Sequence, residues 1–269
     1  MSADPVPDDL WERIAPLLPA RPARRHRYPG RLPVSDRVAL AGIVYVLRKG
    51  VAWRDVPIQI VGCSGVTAWR RLRDWTEAGV WPRLHEVLLA ELREAGLLDM
   101  DDAAIDGSHV RALKRGDHVG PSPVDRGKPG SKHHLIVDRH GTPLAVALTG
   151  GNRHDVTQLL PLLDAIPPIR GLRGRPRRRP RRLLADRGYD YDKYRRILRR
   201  RGITPRIARR GVAHGSGLGK TRWVVERTFA WLHQFKRLRI RYEICADLHQ
   251  GLLQLACSII CLRRLRTSF

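Results

Sequence analysis

Apolar residues along the chain change their period near residue 100. Before it they recur at helical spacing. Leu10, Trp11, Ile14, Leu17 and Leu18 predict a first amphipathic helix within residues 4–19, with Asp9 and Glu12 spaced as a capping box. Residues 20–33 form an Arg- and Pro-rich connector. Val38, Ala41, Ile43, Val44 and Leu47 predict a second helix, capped by Ser35 and stopped by Gly50. Trp53 and Pro57 mark a turn. Val66, Trp69, Leu72 and Trp75 make one stripe of a third helix over 64–78, and a fourth spans 81–95, ended by Gly96.

After residue 100 the apolar runs are short and bounded by turn residues, which predicts strands over 103–106, 133–137, 143–149, 182–185 and 203–207. Residues 111–132 are polar and rich in Gly and Pro, a loop, and 138–141 is a hairpin turn. Helices are expected over 156–166, 190–201, 221–235 and 247–264; His154 and Asp155 are candidate site residues, but capping of the first of these helices explains Asp155 and is the favoured reading. The order is β-β-β-α-β-α-β-α. An antiparallel meander followed by two βα units gives an α/β fold, a mixed sheet flanked by helices in the RNase H-like order. A small all-α, helix-turn-helix-like region precedes it. The expected domains are 1–99 and 100–269.

Charge adds a partner. Lys and Arg number 51 against 26 Asp and Glu, for a net charge of +25. The excess is local: residues 1–99 hold 15 basic and 12 acidic residues, whereas 168–241 hold 25 and 4. Such density of like charge opposes compaction unless a polyanion binds it, and counterion release from double-stranded DNA rewards it. Arg70, Arg71 and Arg73 lie off the stripe of the third helix, as a major-groove helix would place them, though a solvated surface helix has the same pattern. Residues 167–182 carry eight arginines, among them Arg177, Arg178 and Arg179, and read as a loop able to grip phosphates. The four cysteines form no CxxC pair, and Cys257 and Cys261 have the spacing of core thiols. With no signal pattern and no apolar run of about 18 residues, a cytoplasmic, nucleoid-associated protein is expected.

Three acids stand out. Asp106 and Asp186 each end an apolar run next to a glycine turn, and Glu226 sits on the helix over 221–235. Singly they are ordinary: Asp before a turn is common, and Glu226 has the spacing of an ion-pair partner for Arg222. Jointly they say more, because ligands of such sheets gather at the carboxyl ends of parallel strands. Carboxylates converging there suit Mg²⁺, which prefers oxygen ligands. Two ions about 4 Å apart would activate an attacking oxygen and stabilise a leaving one in phosphodiester displacement.

IDGSHVRA around Asp106, LLADRGYD around Asp186, RWVVERTFAWL around Glu226 and the segment SKHHLIVDRHGTPLAVALTGGNRHD resemble the DDE transposases of bacterial insertion sequences, in the branch related to the "four" and "five" groups. The resemblance covers nearly the whole chain. It implies that Asp106, Asp186 and Glu226 are catalytic, metal-binding acids for two Mg²⁺ ions, with Mn²⁺ able to substitute. It implies cleavage at transposon ends, strand transfer into target DNA, and a homo-oligomer on DNA. Arg222 matches the family's basic residue four before the glutamate. Two positions depart: Gly219 stands where the "four" group often has Tyr, and His233 where it has a DNA-gripping Lys. The rival readings are a non-catalytic, repurposed DNA-binding protein and another metal nuclease of this fold. An RNA-binding protein is a weaker rival, since 6% aromatic residues offer few stacking platforms.

Overall fold

The computed structural model describes residues 5–20, 27, 32–212 and 219–267. The helical region comprises α1 (Asp8–Ile14), α2 (Asp36–Lys49), the single turn α3 (Ile58–Val61), α4 (Gly65–Glu77) and α5 (Val80–Glu94). Ser35 caps α2 by accepting from the Val38 amide, and Gly50 ends it in the left-handed region, as expected. Ser64 caps α4 in the same way, through Thr67.

Two details of this region differ from the pattern. Asp9 does not cap α1, whose preceding residue is Pro7; its carboxylate pairs with Arg266 near the end of the chain instead. The buried stripe of α4 is Gly65, Ala68, Leu72 and Trp75, and Val66 is exposed. Small residues set that rotation. A Cβ on Gly42 of α2 would lie 2.8 Å from the Ala68 Cβ, so the two helices cross too closely for larger side chains.

The remaining elements are β1 (Asp102–Ala112), β2 (Gly120–Pro121), β3 (Pro129–Asp138), β4 (Pro143–Gly150), α6 (Leu159–Asp164), β5 (Arg182–Ala185), α7 (Asp192–Arg200), β6 (Thr204–Ile207), α8 (Gly219–Gln234), β7 (Ile240–Arg241) and α9 (Ala246–Arg266). The strands form one seven-stranded mixed sheet. β3 pairs antiparallel with β1 and β4, while β5 pairs parallel with β1 and β6. The long strands therefore lie in the order β4-β3-β1-β5-β6, which the RNase H-like reading requires. Nearly every residue of β3 is buried, so both faces of the sheet are covered.

Asp106 does not end its strand. β3 runs opposite β1 from Ala103 to Arg111, and its backbone groups carry β1 on past the acid to Ala112. The loop after β1 is correspondingly shorter than the polar stretch suggested, and β3 starts at Pro129 within it. Asp155 likewise departs from its assigned role: it opens a 3-10 turn, Asp155–Gln158, ahead of α6, and no side chain caps that turn.

One hydrophobic core holds both regions. α9 is buried nearly all round and packs against α4, α5, α8 and β4, so the last helix joins the first hundred residues to the sheet. Cys257 and Cys261 are buried within it, as core thiols.

Candidate active site

Strand register places the two aspartates. β1 and β5 pair Asp102 with Arg182, Ala103 with Leu183 and Ala104 with Leu184. The pairs end at Ala104 and Leu184; continued for two residues, that register would bring Asp106 level with Asp186. Side chains alternate along a strand, so Ala104 and Asp106 share one face, as do Leu184 and Asp186. An ion pair between Arg182 and Asp102 (2.5 Å) anchors the start of the same register. β5 stops at Ala185, and Asp186 turns the chain by accepting from the Gly188 amide (2.9 Å).

Asp106 is half-buried. Burial pushes its carboxyl above the ordinary aspartate value; the Gly107 amide (2.8 Å) and the Arg222 guanidinium pull it back, and the charge of Asp186 adds to the upward push. The carboxylates are thus close enough to repel, and a cation between them would relieve both the repulsion and the lost hydration. Their hard oxygen donors suit a Mg²⁺-type ion.

Glu226 lies on α8, which packs on β1 and β3. Its carboxylate is exposed and accepts from Arg222 Nη2 (2.9 Å), while Arg222 Nη1 donates to Asp106 Oδ2 (2.8 Å). One guanidinium therefore stands between the first and third acids. Among the described residues, no three acidic, His or Cys side chains converge as a ready metal cage.

Further residues lie close to Asp106, among them Asp155, which the sequence favoured as a cap. Asp155 Oδ1 accepts from the buried Lys132 ammonium (3.0 Å) and lies 3.8 Å from His134 Nδ1. It also lies beside Asp106's neighbour: a Cβ on Gly107 would sit 2.8 Å from the same oxygen. Burial pushes His134 down to about 4, which leaves it neutral, and its Nε2 meets the Thr149 hydroxyl at 2.7 Å. Tyr189, three residues after Asp186, is fully buried. A capping aspartate and a turn tyrosine look alike whether or not they face a site, so only the short motifs GGNRHD and DRGYD carried a signal.

The expected DNA-contacting residues are spread out. On α4, Arg71 pairs with Asp36 (3.3 Å) and Arg73 with Asp74 (2.8 Å), whereas Arg70 is exposed and makes no ion pair among the described residues. Arg177, Arg178 and Arg179 are exposed on the loop before β5. Its base is fastened: Ile169 and Arg177 bridge, and Arg93 of α5 donates to the Ile169 carbonyl. His233 is half-buried against Phe229, its Nε2 is sealed without a partner, and burial lowers its pKa. Residues 213–218 of the basic loop before α8 lie outside the described residues.

Comparison with known proteins identifies the family. The family model "Transposase DDE domain" matches residues 98–261, and "Putative transposase of IS4/5 family" matches residues 6–85. A putative transposase for insertion sequence element IS402 of Burkholderia cepacia is 65% identical over 148 residues, which are 55% of this chain and 70% of that protein. An uncharacterized 16.2 kDa protein of the same insertion element is 56% identical over 119 residues, 44% of this chain and 80% of that protein. The solved Mos1 strand transfer complex aligns over 92% of this chain and 81% of that one at 10% identity, but a TM-score of 0.33 carries no weight in the assignment. The DDE-domain match spans well over half of the chain, and the protein belongs to the DDE transposases of the IS4/5 family.

Proposed function

We propose that this transposase cuts double-stranded DNA at the ends of its own element and joins the freed 3′-hydroxyl to target DNA at a site built from Asp106, Asp186 and Glu226. The observation that supports the reading is the β1–β5 register, which, continued two residues past its last pair, would bring the two carboxylates level beside the carboxyl end of β5. The DDE family is metal-dependent, and here Mg²⁺ is the assigned ion, with Mn²⁺ able to replace it. Asp106 and Asp186 would hold it, joined by Glu226. When bound, two such ions activate the attacking oxygen and stabilise the leaving one.

The protein's own groups do the rest. The Gly107 and Gly188 amides fix the carboxylates so that their oxygens need not reorganise. Arg222 neutralises Asp106 and Glu226 until a phosphate offers a better partner; a guanidinium binds phosphate through paired hydrogen bonds. Its departure frees Glu226 for the site. Residues 1–99 would serve as the DNA-binding region, with α4 and its exposed Arg70 towards the major groove, and residues 100–269 as the catalytic domain. Arg177, Arg178 and Arg179 would grip backbone phosphates. Two ends must be handled together, so a homo-oligomer on DNA is the working assembly. No helix among the described residues is long and apolar enough to cross a membrane, and the cytoplasmic nucleoid is the assigned place of action.

Asp186→Asn tests the reading. It keeps the side chain's shape and its acceptor for Gly188 but removes the charge. Cutting of end-bearing DNA with Mg²⁺ falls by about a hundredfold or more, while end binding stays within about twofold by gel shift. A wild type that binds ends but cuts nothing with Mg²⁺ or Mn²⁺ would shift the assignment to a DNA-binding protein without catalysis. Nicking without strand transfer would shift it to a nuclease of the same fold.

A further inference from the structure

Asp186 has no strand to hold it. β5 ends at Ala185, whose pairing with Ile207 is the last rung of the β5–β6 ladder. What holds the turn after it is an arginine from the basic stretch that follows β6. Arg210 is an exposed residue there, yet its side chain turns back onto the protein. Its Nε donates to the Arg187 carbonyl (3.0 Å) and its Nη2 to the Gly188 carbonyl (3.2 Å). The guanidinium carbon lies 4.4 Å from the centre of the Tyr191 ring. The Arg210 amide donates to Asp190 Oδ2 (2.8 Å), and Arg187 Nη2 donates to the Val212 carbonyl (2.7 Å), so turn and loop are fastened from both sides.

The first of these bonds reaches Asp186. A peptide unit is planar, and the Arg187 carbonyl and the Gly188 N–H are the two ends of one unit. That N–H donates to Asp186 Oδ1 (2.9 Å). Fixing the oxygen end therefore fixes the direction of the donor end. A charged donor on the carbonyl also polarises the amide and strengthens the bond it gives. The carbonyl accepts from the Asp190 amide as well (3.2 Å), which pins the unit further. An arginine ordered on two carbonyls and a ring gives up rotamer freedom that solvent would have left it. It also gives up its own reach towards DNA phosphates, and the ordered turn is what the protein gains.

We propose that Arg210 is a positioning residue for Asp186: its guanidinium holds the Arg187–Gly188 peptide so that the amide keeps the Asp186 carboxylate aimed for cation binding. The proposal rests on the cleavage site assigned above. Arg210 acts through the peptide and touches neither the cation nor the DNA, although it stands in a stretch whose charge suits DNA.

Arg210→Ala and Arg210→Lys, compared with Asp186→Asn and the wild type, test it in four readouts: Mn²⁺ affinity on pre-cut end DNA by titration calorimetry, single-turnover cutting of end DNA, the salt dependence of end binding, and thermal midpoint. Lysine keeps the charge but cannot span two carbonyls with a planar fork. Both Arg210 variants should therefore bind Mn²⁺ about ten- to a hundredfold more weakly and cut more slowly, with excess Mn²⁺ restoring part of the rate. End binding, its salt slope and the midpoint should match the wild type. Mn²⁺ affinity and cutting unchanged in both variants would overturn the proposal. So would weaker end binding and a smaller salt slope in Arg210→Ala that Arg210→Lys restores, which would make Arg210 a phosphate contact. Lowered midpoints would overturn it too, by making the role structural. Asp186→Asn separates the two levels. If Asp186→Asn binds Mn²⁺ and cuts normally, the cleavage site itself is misassigned; if it fails while both Arg210 variants are normal, only the Arg210 proposal falls.

Discussion

Arg222 holds Asp106 with one nitrogen and Glu226 with another. Under the proposed function it stands in for a cation between Asp106 and Glu226 until DNA arrives. Buried imidazoles show the same concern with charge. His85 on α5 lies wholly inside the protein, its Nε2 2.8 Å from the Pro143 carbonyl, and burial pushes its pKa down from 6.5 to about 4. The native state then binds fewer protons than the unfolded state between those values. The stability this group contributes is complete above pH 6.5 and is lost as pH falls through 4, a change on the order of 3 kcal/mol. Thermal midpoints measured across that range should fall for the wild type and fall less steeply for His85→Gln. Equal slopes would show that His85 does not titrate in this way.

Elements position these residues through close approach. α4 starts at Gly65 because its first turn lies against the backbone of Trp53: a Cβ there would sit 1.6 Å from the Trp53 carbonyl oxygen. Gly65→Ala should therefore cost about 3 kcal/mol or more, measured by urea unfolding, although alanine is the better helix former. A neutral or stabilising outcome would mean that α4 does not dock there. Element by element, the chain's pattern was informative where periodicity and turn chemistry agree. The Ser35 cap, the Gly50 stop, β5 and the hairpin turn at Asp138 all stand as read. It was uninformative where tertiary pairing overrides local sequence. Polar Ser108 and His109 hide the continuation of β1, which β3 enforces from across the sheet. Asp155 has a cap's local sequence, yet its carboxylate is claimed by Lys132, 23 residues away. Register likewise appears only when β1 meets β5, so the levelling of Asp106 with Asp186 could be expected from strand order but not located.

At the scale of the molecule, the two regions share their interior. α9 fills the space between α5 and β4, and a buried hydrogen-bonded chain crosses the same seam: His133 of β3 meets His249 of α9, His249 meets Glu243, Glu243 meets Arg237, and Arg237 donates to the Val51 carbonyl. A DNA-reading region built on this core would be held rigidly against the catalytic sheet. The basic excess of residues 168–241 takes in the turn at Asp186 and the helix that carries Arg222 and Glu226, so under the proposed function it would draw DNA towards these acids. Under the proposed function the acids and the guanidinium between Asp106 and Glu226 form one device, in which the phosphate backbone would release Arg222 and the cation would take its place. Its most direct test is the position of Mn²⁺ in crystals of the protein with end DNA, located by anomalous scattering. Density between the Asp106 and Asp186 carboxylates, with Glu226 turned into the ion's coordination shell and Arg222 moved to a phosphate, is the expected result. Manganese bound elsewhere, or Arg222 still joining Asp106 to Glu226 with DNA and metal present, would contradict it.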